Sequence, residues 1–263
     1  DTSALGGWGV REVGDEITNP DPSFVGNTIT NLLFYNNRLG ILSGENLILG
    51  QPSDYFNFFT KSAIALSDAD PIDVAVTSNR PSKLRAAVAT QKGLVIFSED
   101  SQYIVSSDEA RFSAQTIEVK QLSSYPTSSR ALPQSSGVSI FFAVEADTYS
   151  KIMEMAVDSV GERPSVADDT RIIPQYIPKD LTWMTASPAN DLVLIGDKTT
   201  QVRVFKFFNQ GAERKIAGWA TWEFPGGVIL MDGHVDTFYM VQRNGDSTYL
   251  ATMELLDDSA EGG

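Results

Sequence analysis

Residues 34–59, FYNNRLGILSGENLILGQPSDYFNFF, decide how the chain is read. Two short apolar runs, Leu39–Leu42 and Leu47–Leu49, flank the polar turn Ser43-Gly-Glu-Asn46. Apolar run, polar Gly/Asn turn and second apolar run make the pattern of a β-hairpin. No residue in the stretch stands in an arrangement that chemistry would require. It reads as scaffold, with Asn36, Asn37 and Arg38 expected to fix a bend and to hydrogen-bond a neighbouring sheet.

The pattern recurs. Leu94-Val-Ile-Phe97 and Tyr103-Ile-Val105 flank Ser98-Glu-Asp-Ser101, and Val138–Val144 and Ile152–Met155 flank Glu145-Ala-Asp-Thr148. Leu192–Ile195 and Val202–Phe207 flank Gly196-Asp-Lys-Thr-Thr200; Phe238–Val241 and Tyr249–Met253 flank Gln242-Arg-Asn-Gly-Asp246. The starts Leu39, Leu94, Val138, Leu192 and Phe238 follow one another at 55, 44, 54 and 46 residues. A hairpin returning at that interval is the sequence habit of a β-propeller, in which each small antiparallel sheet buries its faces against its neighbours. The fold expected is all-β, a propeller-like array of about five antiparallel blades or hairpin units; a β-sandwich of similar hairpins is the alternative. First runs are almost wholly apolar, as suits strands covered on both sides. Second runs alternate, Val202, Val204 and Phe207 against Arg203 and Lys206, as suits strands nearer a rim. Only SKLRAAVA, residues 82–89, hints at a helical turn, and the LVIF that follows pulls it toward a strand. NPDPS (19–23), SSYPTSS (123–129) and ERPSVADD (162–169) read as loops. One domain over 1–263 is expected, with a lead-in at 1–30, blades over 31–255 and a tail at 256–263.

Composition narrows the function. The chain of 263 residues carries a net charge of −14 and no Cys. Disulfides and thiolate chemistry are excluded, and a surface that grips phosphate is disfavoured, because such grip comes from Lys and Arg. No apolar run approaches the ~20 residues of a membrane helix, so no membrane span is expected. There is no N-terminal secretory pattern, and the start without Met suggests a piece of a longer polypeptide.

Candidate chemical groups each have a simpler reading. His234, the one histidine, sits in DGHVD before the Phe238 run, where a turn suffices. Asp68, Asp70 and Asp73 lack the Gly and terminal Glu of a calcium loop and read as a turn into Val74–Val76. Trp8, Trp183, Trp219 and Trp222 could line a sugar groove, but Trp219 and Trp222 read as packing against a neighbouring blade. Gly6-Gly-Trp-Gly9 lacks the strand-to-helix context of a phosphate loop. No catalytic, cofactor-binding or metal-ligating residue is assigned, and no cofactor is expected.

Several longer phrases carry a resemblance. Arg11-Glu-Val-Gly-Asp15, Thr18–Gly26, Asn37–Gly40, Leu42–Asn46, Tyr55–Phe59 and Leu66–Val76 occur in an order that resembles the tail tubular protein B, or nozzle, family of short-tailed podovirus phages. Pro174–Pro178 and the Trp219/Trp222 segment are similar more loosely. The resemblance implies a non-enzymatic structural component of the phage tail, assembled in the host cytoplasm and carried in the virion. It implies a six-fold ring of copies that contacts the tail adaptor protein and the tail fibres and passes the genome DNA without specific binding. Family members are much longer, so this chain would be a propeller-containing part of one. Acidic side chains facing the channel would keep DNA sliding. The alternatives are a tail-associated polysaccharide or cell-wall hydrolase, and a propeller that binds a fibre or host receptor.

Overall fold

The structure, a computed structural model, describes residues 7–76, 81–107, 112–156, 164–210 and 213–255. These residues fall in two compact units, up to Thr127 and from Ser128 onward. Both are built from antiparallel sheets whose strands lie in chain order. The first unit holds sheet 1, made of β1 (Ile29–Tyr35), β2 (Arg38–Ser43), β3 (Asn46–Leu49) and β4 (Ile72–Ala75). It also holds sheet 2, made of β5 (Leu84–Thr90), β6 (Gly93–Ser98), β7 (Gln102–Ser107) and β8 (Ile117–Ser123).

Three sheets make the second unit. Sheet 3 contains β9 (Gln134–Ser136), β10 (Ser139–Val144), β11 (Lys151–Ala156) and β12 (Ser165–Asp168). Sheet 4 contains β13 (Trp183–Ser187), β14 (Leu192–Gly196), β15 (Gln201–Gln210) and β16 (Glu213–Glu223). Sheet 5 has three strands, β17 (Gly227–His234), β18 (Thr237–Asn244) and β19 (Ser247–Glu254). No α-helix occurs among the described residues, and SKLRAAVA is the start of strand β5. The alternation of Leu84 and Ala86 inward with Arg85 and Ala87 less buried is a period of two, which a helix does not show.

Each of the five recurring hairpins is the second and third strand of one sheet. The second strands of the first four sheets, β2, β6, β10 and β14, are buried almost end to end. A strand in the middle of a sheet that is covered on both faces has no position that tolerates a polar side chain, hence runs such as LVIF and SIFF. Strand β18 departs from this expectation. Phe238, Met240 and Gln242 point inward and are buried, while Tyr239 and Arg243 are exposed, so sheet 5 is covered on one face.

Within each unit, apolar cores lie between successive sheets. Leu42, Leu47 and Leu49 of sheet 1 meet Leu94, Ile96 and Val105 of sheet 2. Phe141 and Ile152 of sheet 3 meet Val193, Ile195, Phe205 and Phe207 of sheet 4, whose other face meets Met231, Phe238 and Met240 of sheet 5. Phe141 lies 5.3 Å, centroid to centroid, from Phe207. Trp219 and Trp222, three residues apart on β16, point to opposite faces and pack on these two cores. The expectation that they pack between sheets, and do not line a groove, holds for both.

One close approach fixes sheet 4 to sheet 5. The Trp183 ring packs against Gly196, where a Cβ would stand 2.2 Å from the ring carbon Cζ2. Its Nε1 then donates to the Val228 carbonyl on β17 at 3.0 Å. No residue larger than glycine fits at 196 without displacing the indole and breaking that bond.

The turn between β1 and β2 is the two residues Asn36 and Asn37, both left-handed at φ 48° and 58°, a geometry that asparagine tolerates better than most side chains. The expected bend is there; the expected bond to a neighbouring sheet is not. Arg38, 2% exposed, donates to the carbonyls of Gly50, Asp70 and Asp68, each at 2.8 Å, all in the connection between β3 and β4 of its own sheet. That connection is long and irregular, so its inward carbonyls have no ladder to accept from, and a buried guanidinium with a fork of donors satisfies three at once. Arg38→Leu leaves those carbonyls unpaired and should cost about 3 kcal/mol or more in denaturant unfolding. Early proteolysis within 50–71 should accompany it, and Arg38→Lys should recover only part of the loss.

Candidate functional site

The titratable residues that sequence singled out stand in turns and loops and near strand ends. His234 ends β17, exposed, and Val235–Asp236 make the turn into β18. Val235 adopts φ 55°, rare for a β-branched residue, and its carbonyl accepts from Ser187 Oγ at 3.3 Å. No triad surrounds the histidine. Asp68, Asp70 and Asp73 do not converge either: the Asp70 carboxylate accepts from Ser67 N at 2.7 Å, and Asp73 accepts from Ser23 N and Asn46 Nδ2, both at 2.8 Å. Among the described residues no group of three or more acidic or histidine side chains is placed to hold a metal ion. Trp8 stands instead in an aromatic cluster with Phe24, Phe56 and Phe58.

One charged cluster is buried, and it lies between sheets 3 and 4. Arg214 of β16 makes a two-pronged bond to Glu154 of β11, Nη1 to Oε2 at 2.8 Å and Nη2 to Oε1 at 2.6 Å. Its guanidinium lies over the Phe207 ring at 4.8 Å, and Ser139 Oγ donates to Glu154 at 2.5 Å. Asp169 stands 4.0 Å from the same guanidinium, with its Oδ2 buried and without a hydrogen-bond partner. Burial, then the Glu154 carboxylate, push Asp169 up to about 7 against the pull of Arg214, with Asp168 adding a smaller push in the same direction. Two neighbouring carboxylates are the equipment of a glycoside hydrolase. Here, however, both side chains are 13% exposed and one is clamped by arginine, so no sugar can pass between them. The cluster is a polar pin in an apolar seam. Sequence could not show it, because Glu154 and Arg214 are 60 positions apart and nothing in either neighbourhood marks them as partners.

A second feature is the distribution of charge. Within each unit the first strands of successive sheets adjoin, β1 beside β5 and β9 and β17 on either side of β13. These strands carry one carboxylate, Asp232, which accepts from Thr185 Oγ1 on the adjoining strand at 3.0 Å. The turns joining second to third strands differ: all five carry acid, Glu45, Glu99 with Asp100, Glu145 with Asp147, Asp197 and Asp246, against one cation, Lys198. Some of these brace their own turn, as Asp197 does by accepting from Thr199 at 2.6 Å, whereas Asp147 and Asp246 are exposed. A cleft of about 790 Å³ lined by Asn190, Lys206, Asp236 and Glu254 opens at sheets 4 and 5. Its polar groups bond one another, Lys206 Nζ to the Asn190 carbonyl and Asn190 Nδ2 to Asp236 at 3.2 Å. The arrangement offers surfaces and closely packed interiors.

The pin makes a pH prediction. Between about pH 4 and 7 the folded chain keeps a proton on Asp169 that the unfolded chain has released, so this group's contribution falls as pH rises across that window, by at most about 4 kcal/mol. Asp169→Asn should therefore match the parent near pH 4 and be the more stable protein at pH 8, by about 1–4 kcal/mol. Equal unfolding midpoints at pH 8 would remove the buried charge from the account.

Comparison with known proteins follows the same direction. The bacteriophage nozzle protein family model matches residues 2–262. Tail tubular protein gp12 of Escherichia phage T7 is 31% identical over 259 residues, covering 97% of this chain and 32% of the relative. The chain thus spans about a third of that relative's length. Among solved structures, Kluyveromyces lactis Hsv2p is similar with a TM-score of 0.51 at 13% identity, over 88% of this chain and 62% of that one. The Neurospora crassa Pan2 WD40 domain gives 0.50 at 9%, over 89% and 64%, and the N-terminal domain of Nup159 gives 0.50 at 10%, over 90% and 62%. At such identities the likeness concerns the fold, a propeller-like stack of antiparallel sheets.

Proposed function

The chain belongs to the bacteriophage nozzle protein family, and from that premise we propose that it is a rigid, non-catalytic wall module of the tail nozzle, in the ring through which the genome leaves the particle. The family match over residues 2–262 is the observation that carries this reading. The structure supports it in two ways. Sheets with cores on both faces make a stiff element, because close-packed interiors deform little. The net charge of −14 and the acidic turns repel a polyanion over a Debye length of ~8–10 Å. A wall that neither yields nor adheres suits a conduit.

In this reading the carboxylates that meet DNA are those on the turns between second and third strands, since the adjoining first strands carry almost none. The ring of copies, the adaptor protein and the fibres are its partners, and the contacts with them belong to the whole polypeptide. Quantitative peptide mass spectrometry of purified virions should find this chain at about six copies per particle, the number a six-fold ring requires. Absence from the particle would overturn the assignment. For the channel, Asp147→Asn with Asp246→Asn should leave incorporation into virions unchanged and slow genome ejection. Unchanged ejection kinetics would take those turns off the DNA path.

A hydrolase would need an open pair of carboxylates, and the Glu154–Asp169 pair is sealed by Arg214. A purely receptor-binding propeller has no specific observation in its favour.

A further inference from the structure

Sheet 5 is the exception among the five sheets in two respects. It has three strands where the others have four, so one edge of β19 has no strand partner among the described residues. The face it turns away from sheet 4 is open and carries one apolar row among polar ones, with Asp232 and Thr252 flanking Tyr239 on one side of it and Arg243 with Thr248 on the other. Register places Leu230, Val241 and Leu250 side by side across β17, β18 and β19. Leu230 is 52% exposed and Leu250 70%, with Tyr239 beside the row at 46%. On the face that sheet 4 turns to sheet 5, by contrast, the paired Leu194 and Val204 are 0% and 2% exposed. Sheet 5 thus carries on one face the kind of apolar row that sheet 4 keeps covered, and a row spanning three strands is no scatter of single surface side chains.

We propose that this row is the seat of a further antiparallel sheet, supplied by a part of the same polypeptide outside residues 1–263. Three observations choose that occupant over a second copy of the chain. The T7 relative is about three times as long as the stretch matched here, so a great deal of chain is available to supply it. The similar propeller structures likewise continue beyond the 62–64% of their length that this chain matches. Within each unit, moreover, a sheet is covered by the sheet next to it in the sequence, an intramolecular contact made at millimolar effective concentration without a partner having to be found. The incoming sheet presents an apolar face to Leu230, Val241 and Leu250, and a strand of the same polypeptide completes the ladder along β19. The inference does not rest on the tail assignment; it rests on the fold and on the relative's length.

Thiol labelling of the full-length polypeptide tests it, because residues 1–263 contain no cysteine. Leu250→Cys and, separately, Leu230→Cys are introduced, with Asp246→Cys in the exposed turn as the reference, and maleimide labelling rates are measured above the unsubstituted background. Both leucine positions should label about tenfold or more slowly than position 246, at every protein concentration, since reaction must wait for local opening. Labelling at the rate of position 246 would show the face open and overturn the proposal. Protection that disappears on dilution would overturn it equally, since the cover would then be a second copy.

Discussion

A small antiparallel sheet has two faces and, alone in water, can hide neither; everything else in this structure follows from how that is resolved. In the first four sheets the second strand is buried along nearly its whole length, which requires cover on both sides. Each fully buried Leu, Ile or Phe contributes about 1.5–3 kcal/mol relative to exposure, so the faces are worth far more than the turns that join the strands. Packing sheet on sheet then sets the spacing of the hairpins along the chain, and the spacing is what makes the sequence look periodic.

Polar groups enter these seams only with full partners or at a measurable cost. Arg38 satisfies three carbonyls of a connection that has no ladder of its own, and Trp183 lies on Gly196 and bonds a carbonyl of the next sheet. Arg214 and Glu154 pair across sheets 3 and 4, stacked on Phe207, and leave Asp169 as the one member short of a partner. Such contacts fix which sheet faces which, a choice that apolar packing alone leaves loose.

The hairpins were legible in the sequence because apolar runs of three to seven residues broken by Gly, Asp and Asn turns follow from local geometry. The same locality made the Asn36–Asn37 bend and the turn around His234 readable. What could not be read depends on side chains distant in sequence. Arg38 was placed against the wrong sheet because nothing in NNRLG says that carbonyls thirty positions on lack donors. The pin of Glu154, Asp169 and Arg214 has no motif at all. The open face of sheet 5 was hidden by composition: Phe238–Val241 is as apolar as its counterparts, and only the burial of alternate residues shows that one side is bare. The acidic balance was plain from composition, but not which turns carry it.

The central claim is that the doubly covered second strands are the stable unit on which the module's stiffness rests. Native-state hydrogen exchange, resolved to single amides, addresses it most directly. The account predicts the slowest exchange in β2, β6, β10 and β14, with the outer strands β4, β8 and β12 and the edge strand β19 opening at lower free energy. If the second strands exchanged as fast as the outer ones, two-sided burial would not be what holds the sheets together, and the account would be wrong.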